Sequence, residues 1–201
     1  MLRGRGVSFR IMINGMQVCG YIWLAFYTLW VLAALGTKRA VERVDWGKRL
    51  SYTIPVALGY YCMFSSHLGI AWLQERILPS NQALAISAIA VTLAGMAFAV
   101  WARVYLGRNW SSVPTIKEKH QLIRSGPYRL VRHPIYSGIL LAVTGTFLAN
   151  GKVRGALSIV LLWIGWQIKS RMEEQFMVRT FGAEYEEYRR TTGALFPRLM
   201  G

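Results

Sequence analysis

Long runs of apolar residues alternate along the chain with short stretches that carry most of its charges. The runs occupy residues 11–36, 50–73, 82–106, 135–150 and 155–168. Such runs predict membrane-spanning helices, because a helix of about 20 apolar residues crosses the hydrocarbon core of a bilayer. No segment shows the polar–apolar alternation of a barrel strand. The pattern therefore predicts an all-α integral membrane protein with about five transmembrane helices.

The spacing of the runs also predicts how the chain is organised. Between the fourth and fifth runs the charged residues are Lys152 and Arg154, so these two runs are predicted to form a tight helical hairpin. We interpret residues 1–201 as one membrane domain. Residues 1–106 form its three-helix N-terminal part, and residues 107–201 hold the hairpin, the candidate motifs and a helical cytoplasmic tail.

Charge distribution narrows the possible partners. The chain has 201 residues, 54% of them hydrophobic, with 24 basic and 9 acidic residues and a net charge of +15. A soluble protein that binds nucleic acid would spread its basic residues along amphipathic elements, whereas here the long runs almost exclude them. We therefore expect membrane lipids as partners and no nucleic acid.

The basic residues also predict an orientation. Seventeen of them lie in the three regions that follow the first, third and fifth runs, and six lie on the opposite side. The positive-inside rule then places the N-terminus outside and the C-terminus in the cytoplasm. Arginines before the first run favour the reverse orientation, but the totals outweigh them. Cys19 and Cys62 lie within apolar runs without metal-ligand spacing, so no metal site is predicted.

The first candidate motif is "LIRSGPYRLVRHPIYSG", residues 122–138. Pro127 and Pro134 constrain the backbone at two points, and Gly138 would let another backbone or a ligand approach closely. An ordinary loop beside the membrane would use such residues to start a helix and touch lipid phosphates. A histidine next to an arginine at a proline-marked helix start favours a binding site instead. The loop presents four polar or aromatic side chains, Tyr128, Arg132, His133 and Tyr136.

The second candidate motif is "WIGWQIKSRMEEQFMVRTFGAEYEEYRR", residues 163–190. Trp166, Lys169 and Glu173 recur at three- and four-residue spacing and so share one helical face. A carboxylate at the membrane edge is costly unless it is paired, which makes Glu173 a functional candidate. The alternative is a solvated helix with an internal Lys169–Glu173 pair. A break at Phe181–Gly182 precedes a predicted solvated amphipathic helix.

Together the two motifs suit one ligand. Cations and a histidine suit a carboxylate, an acidic side chain suits an ammonium group, and tyrosines offer flat apolar faces. S-adenosylmethionine has these three features: an α-carboxylate, an α-ammonium and an adenine. The chain lacks a glycine-rich strand–turn–helix fingerprint, so helices and loops would have to form the cofactor site.

These two motifs, in this order and spacing, resemble the isoprenylcysteine carboxyl methyltransferase family, including its small prokaryotic members. The resemblance is carried by "HQLIRSGPYRLVRHPIYSG" and "EEQFMVRTFGAEYEEYRR" and is broadest over residues 106–197. It implies an integral membrane enzyme that uses S-adenosylmethionine at the membrane–cytoplasm interface. The implied acceptor is lipophilic: an isoprenylcysteine carboxylate or another small carboxylate, thiol or amine.

The resemblance also implies roles for individual residues. Arg132, Lys169 and Glu174 are the predicted catalytic residues. Lys169 stands where eukaryotic relatives have arginine; it keeps the charge but loses bidentate recognition of a carboxylate, which leaves the substrate open. The implied cofactor-binding residues are His120, Gln121, Leu122, Ile123, Tyr128, His133, Pro134, Ile135, Tyr136 and Glu173.

Two alternatives belong to other functional classes. Membrane reductases of the sterol-reductase type bind NADPH, but they typically have asparagine before the tyrosine and Arg-Asp-Glu on the last helix. This chain has Ile135 before Tyr136 and Met-Glu-Glu at 172–174. A non-enzymatic membrane scaffold or transporter is the second alternative, although the apolar runs hold few charges that would mark a transport path. The oligomeric state is left open.

Overall fold

A computed structural model describes residues 14–34, 40–43, 45–65, 67–107, 110, 115–117 and 122–198. The described chain is mostly helical, as predicted. It also contains two short strands, β1 and β2, which the sequence did not indicate and which pair antiparallel. The elements in chain order are α1 (Gly15–Ala34), β1 (Ala40–Arg43), α2 (Trp46–Phe64), α3 (Gln82–Leu106), β2 (Thr115–Lys117), α4 (Pro134–Asn150), α5 (Val153–Phe181) and α6 (Ala183–Thr191).

Two helix boundaries differ from the predicted runs. Helix α2 ends at Phe64 and not at residue 73, because Ser65 is extended and its N–H bonds to the carbonyl oxygen of Tyr61. Helix α5 continues beyond residue 168 to Phe181, where Gly182 has a left-handed φ of 54°. The predicted break at Phe181–Gly182 is therefore confirmed, and one continuous helix carries the apolar run together with residues 163–181 of the second motif.

Helices α3 and α4 pack backbone against backbone. A Cβ atom at Gly95 would lie 2.5 Å from the carbonyl oxygen of Gly138, and one at Gly138 would lie 2.6 Å from the carbonyl oxygen of Gly95. Real Cβ atoms do not tolerate such distances, so only glycine fits at either position. The sequence left open whether Gly138 lets another backbone or a ligand approach. The structure shows the backbone of α3 at this position. This packing fixes the start of α4 against α3.

Helices α4 and α5 form the predicted hairpin. Gly151 ends α4 in the left-handed conformation with φ 64°, and α5 begins at Val153. Helix α5 then packs along α2, where a Cβ atom at Gly165 would lie 3.0 Å from the carbonyl oxygen of Tyr52. The close approach at Gly165 brings the side chains of α2 beside the second motif.

Several features support the membrane character of the protein. Of the described helices, α1 and α3 are long and apolar enough to cross a membrane, and α4 is a shorter apolar helix. Large apolar side chains on α1 and α3 lie on the outer surface, as lipid-facing groups do; examples are Leu24, Leu29, Val31 and Val104. The count of five spans and the division at residue 106 stay predictions.

Candidate active site

The first motif forms a tight turn that leads into α4. Residues Gly126–Arg129 form a single 3-10 turn, which starts at Gly126 with a φ of 60°. Pro134 then occupies the first turn of α4, where its missing N–H costs nothing. Tyr128 is buried and its hydroxyl donates to the carbonyl oxygen of Ala102 on α3, 3.4 Å away. The constrained turn thus holds the residues before α4 in place.

A segment after α6 pairs with the same turn. The backbone N–H of Arg132 donates to the carbonyl oxygen of Gly193 at 2.8 Å, and that of His133 donates to Ala194 at 3.0 Å. Tyr188 of α6 is also buried, and its hydroxyl donates to the carbonyl oxygen of Tyr128 at 2.5 Å. The C-terminal region therefore forms one wall of the site.

Five side chains from the two motifs meet at the start of α4, and we call them the carboxylate cluster: Arg132, His133, Tyr136, Glu173 and Glu174. Arg132 donates through Nε and Nη2 to Oε1 of Glu174, at 2.8 and 2.7 Å. The two ring nitrogens of His133 lie 3.4 Å from Oε2 of Glu173 and 3.2 Å from Oε1 of Glu174. The hydroxyl of Tyr136 donates to Oε1 of Glu173 at 2.6 Å. Residues about 40 positions apart in the chain are thereby joined in one network.

The electrostatics of the carboxylate cluster favour its charged forms. Burial lowers the pKa of His133, but hydrogen bonds and charges from Glu173 and Glu174 outweigh burial, so this pKa lies above its ordinary value of 6.5. Burial raises the pKa of both glutamates, but the hydrogen bond from His133 and nearby positive charges outweigh it, and both values lie below 4.5. The two carboxylates are therefore ionised at neutral pH.

An aromatic stack continues from the carboxylate cluster toward α2. The ring of Tyr136 stacks on His133 at 5.6 Å and on Trp166 at 4.7 Å between ring centroids. The Nζ atom of Lys169 lies 5.3 Å from the ring centroid of Tyr136, 5.5 Å from Trp166 and 5.6 Å from Tyr52. We call Lys169 and these three rings the lysine cage. Burial lowers the pKa of Lys169, and the charge of Glu173 opposes part of this shift.

The structure brings six of the thirteen predicted site residues together. The predicted catalytic residues Arg132 and Glu174 lie in the carboxylate cluster, and Lys169 lies in the lysine cage. Among the predicted cofactor residues, His133, Tyr136 and Glu173 belong to the carboxylate cluster, and Tyr128 is buried against α3. Ile123 is partly buried against the apolar core, Leu122 is partly exposed, and Pro134 and Ile135 are buried in the first turn of α4. His120 and Gln121 lie outside the described residues. The roles of all these residues stay predictions.

Sequence reasoning missed three contributors to this region. Tyr52 lies on α2, which carries no motif, so no local signal pointed to it. Trp166 stood in the predicted helical stripe but was not selected as a site residue. Ser137 donates from its hydroxyl to the carbonyl oxygen of Leu195 at 2.6 Å; it lies within the first motif but was not selected as a site residue.

The helical fold and the two joined motifs define a class of helical membrane protein. Comparisons with known proteins identify its family. The profile of the phospholipid methyltransferase family matches residues 83–184, which include the whole carboxylate cluster. This is half of the chain, and the chain belongs to this family.

Relatives with similar sequences confirm the resemblance to isoprenylcysteine methyltransferases. A probable protein-S-isoprenylcysteine O-methyltransferase of Oryza sativa subsp. indica is 42% identical over 89 residues, covering 42% of this chain and 46% of that protein. The protein-S-isoprenylcysteine O-methyltransferase of Schizosaccharomyces pombe is 32% identical over 101 residues, covering 49% of this chain and 43% of that protein. The matched stretch spans less than half the length of both relatives.

A solved structure shares the fold. It is the eukaryotic intramembrane Ras methyltransferase, an isoprenylcysteine carboxyl methyltransferase, with a TM-score of 0.57 over 93% of this chain and 68% of that one. The sequence identity is 19%, so the likeness shows the fold alone.

Proposed function

We propose that the protein is an S-adenosylmethionine-dependent methyltransferase that acts on a lipophilic acceptor at the membrane–cytoplasm interface. The observation that carries this proposal is the carboxylate cluster, in which the two motifs of the resemblance form one network beside a stack of aromatic rings. The names of the similar proteins support the reaction class. The alternatives to this proposal are an NADPH-dependent reductase and a non-enzymatic membrane scaffold.

The residues present suit the methyl donor. When it is bound, S-adenosylmethionine supplies a methyl group on a positively charged sulfur. Glu173 would hold its ammonium group, because this carboxylate is ionised and its side chain is 22% exposed. Each carboxylate has about four lone-pair positions, so Glu173 can accept further hydrogen bonds beside those from Tyr136 and His133. The aromatic stack offers flat apolar surface nearby.

Arg132 is best assigned a positioning role. Its guanidinium donates to Glu174 and to the backbone carbonyl oxygens of Arg189 and Thr192, so it ties the start of α4 to the end of α6. Glu174 in turn accepts from His133. We propose that Arg132 and Glu174 hold His133 and the C-terminal wall in the geometry that the reaction needs.

The acceptor would contact Lys169. Lys169 and Glu173 are four residues apart on α5, a spacing that places their side chains about 5–6 Å apart at Cβ. Acceptor and donor bound at these two residues would therefore be neighbours. Holding two reactants in line can supply a large part of the rate enhancement of a displacement reaction. A carboxylate or thiolate acceptor needs no general base, whereas a protonated amine would need one.

We further propose that the chain crosses the membrane five times with the site facing the cytoplasm. This arrangement would let a lipophilic acceptor enter from the bilayer while the polar donor enters from the water. Labelling of single cysteines in sealed vesicles checks it: Arg76→Cys and Arg189→Cys should react from opposite sides. Reaction of both from one side would contradict the arrangement.

The experiment that tests the function is calorimetry of the purified protein in detergent. S-adenosylhomocysteine should bind and NADPH should not. Incubation with labelled methyl donor and a lipid extract should then yield a labelled product. Binding of NADPH alone would establish the reductase reading, and binding of neither would favour the scaffold.

A further inference from the structure

Two polar atoms of the lysine cage lie buried without a hydrogen-bond partner. The hydroxyl of Tyr52 and the indole Nε1 of Trp166 make no hydrogen bond to any part of the chain that the structure describes. Tyr52 is only 5% exposed. A buried polar group without a partner is destabilising, and the great majority of such groups in folded proteins are paired. Two orphaned groups next to one cation therefore require an explanation.

The position of these groups points to a ligand. Helix α2 approaches α5 closely at Gly165, which places Tyr52 beside the turn that carries Trp166 and Lys169. Both rings contact the Lys169 ammonium at 5.5–5.6 Å from their centroids. The lysine cage also shares Tyr136 with the carboxylate cluster, so a ligand held here would lie next to the proposed donor site.

The chemistry of the three side chains selects the charge of that ligand. An indole N–H and an ammonium group can only donate hydrogen bonds, and a buried tyrosine hydroxyl can donate as well. An ammonium headgroup would be repelled by Lys169 and could not accept a hydrogen bond from the indole N–H. An anionic headgroup would accept hydrogen bonds from the hydroxyl of Tyr52 and the indole N–H of Trp166, and the positive charge of Lys169 would attract it.

We propose that Tyr52 and Trp166 determine acceptor specificity by donating hydrogen bonds, beside Lys169, to an anionic headgroup. This inference rests on the proposed function and goes further in two respects. It assigns a role to a residue of α2, outside both motifs, and it excludes amine acceptors in favour of a carboxylate or thiolate. Tyr136 and Glu173 keep their places on the donor side.

The test removes one hydroxyl group at a time. Tyr52→Phe deletes the proposed donor and keeps the ring next to Lys169. Tyr60→Phe is the matched control, because Tyr60 lies on the same helix but packs against Trp23 and Tyr27, away from the lysine cage. Trp166→Phe is the second variant; it deletes the indole N–H and keeps an aromatic ring for the stack with Tyr136.

The probes are S-farnesyl-N-acetylcysteine, its carboxamide, farnesyl thiol and farnesylamine, each titrated by calorimetry into the protein in detergent. Tyr52→Phe should weaken binding of the carboxylate about tenfold, since hydrogen bonds to charged groups are worth at least that much. Binding of the neutral carboxamide and of S-adenosylhomocysteine should not change. Tyr60→Phe should leave all affinities unchanged. A loss that appears with the thiol instead of the carboxylate would identify a thiolate as the anion.

Other outcomes overturn the inference. Equal affinity of the wild-type protein for carboxylate and carboxamide, with no preference for the thiol, would contradict an anionic subsite, as would tighter binding of farnesylamine. Unchanged carboxylate and thiol affinity in folded Tyr52→Phe would do the same, and Trp166→Phe gives the same test if Tyr52→Phe does not fold. Because these titrations need no turnover, they separate this inference from the proposed function, which fails if S-adenosylhomocysteine does not bind.

Discussion

The two ends of the α4–α5 hairpin both bury positive charge, but they bind it in different ways. At the hairpin turn, Nη1 of Arg154 donates to the backbone carbonyl oxygens of Cys62, Met63 and Ser65 at 2.9, 3.0 and 2.5 Å. Asn150 adds a bond to Met63 at 3.1 Å. At the other end, Arg132 and His133 face carboxylates.

The difference separates a structural site from the proposed ligand-binding one. The carbonyl groups at the end of α2 are orphan acceptors that every helix must satisfy, and Arg154 satisfies them. These carbonyl groups are neutral acceptors, so their chemistry does not favour a ligand over Arg154. The glutamates of the carboxylate cluster carry full charges that can also bind the ammonium group of a ligand. We therefore expect changes at Arg154 to affect stability and changes in the carboxylate cluster to affect ligand binding.

The largest expected effect is the loss of stability in Arg154→Ala. The substitution leaves the carbonyl groups of Cys62 and Ser65 without this donor, whereas that of Met63 keeps its bond from Asn150. Each unpaired group costs about 1–3 kcal/mol where water does not replace the bond. The free energy of unfolding in detergent should fall by about 3 kcal/mol, while the folded fraction keeps its affinity for S-adenosylhomocysteine. The control is Arg76→Ala, an exposed arginine near the same turn, which should cost less than about 0.5 kcal/mol. A stable Arg154→Ala protein with lost ligand affinity would reverse the comparison.

The next effect is the loss of donor binding in Glu173→Gln. A charge-assisted hydrogen bond is worth about 1.5–3 kcal/mol, so the affinity for S-adenosylhomocysteine should fall by about one to two decades. Calorimetry measures this directly. Glu187→Gln, on the exposed face of α6, should leave the affinity unchanged. Full affinity in a folded Glu173→Gln protein would remove Glu173 from the donor site.

A smaller effect is expected for Arg132→Lys. Lysine keeps the charge but cannot donate to Glu174 and to two backbone carbonyl groups through a planar fork. The C-terminal wall should loosen, so turnover should fall several-fold more than donor affinity. Hydrogen exchange of residues 192–196 should rise in parallel, which a purely chemical role for Arg132 would not produce. A loss of donor affinity that equals the loss of turnover would contradict the positioning role.

The smallest effect concerns the pH dependence of stability. Because the pKa of folded His133 is raised, its pairing contributes in full below pH 6.5 and is lost as the pH rises through the raised value. The lowered pKa values of the glutamates mean that their contribution is present above pH 4.5 and is lost as the pH falls through the lowered values. The stability difference between wild type and His133→Gln should therefore be greatest between pH 4.5 and 6.5 and shrink at higher pH.

Thermal unfolding of both proteins across this range measures the difference. His67→Gln, at an exposed position away from the carboxylate cluster, is the control for the substitution itself. A difference that grows as the pH rises would show that neutral His133 is the stabilising form.

The amino-acid sequence was sufficient for those features that depend on neighbouring residues. Apolar runs predicted the helices, Pro134 marked the start of α4, and Gly182 marked the end of α5. The spacing of Lys169 and Glu173 placed them on one face of a helix. The motifs around His133 and Glu173 were recognisable because their residues are close together in the chain.

Only the tertiary structure decided which distant groups meet. Glu173 is paired with His133 and Tyr136. The four-residue spacing between Lys169 and Glu173 did not predict these contacts. Tyr52 reaches the lysine cage because Gly165 lets α2 approach α5. Local periodicity describes which face a residue occupies on its own helix, whereas such contacts depend on how helices pack across long sequence separations. The sequence by itself thus determined the helices and the two motifs, and the packing at Gly138 and Gly165 decided how they form one site.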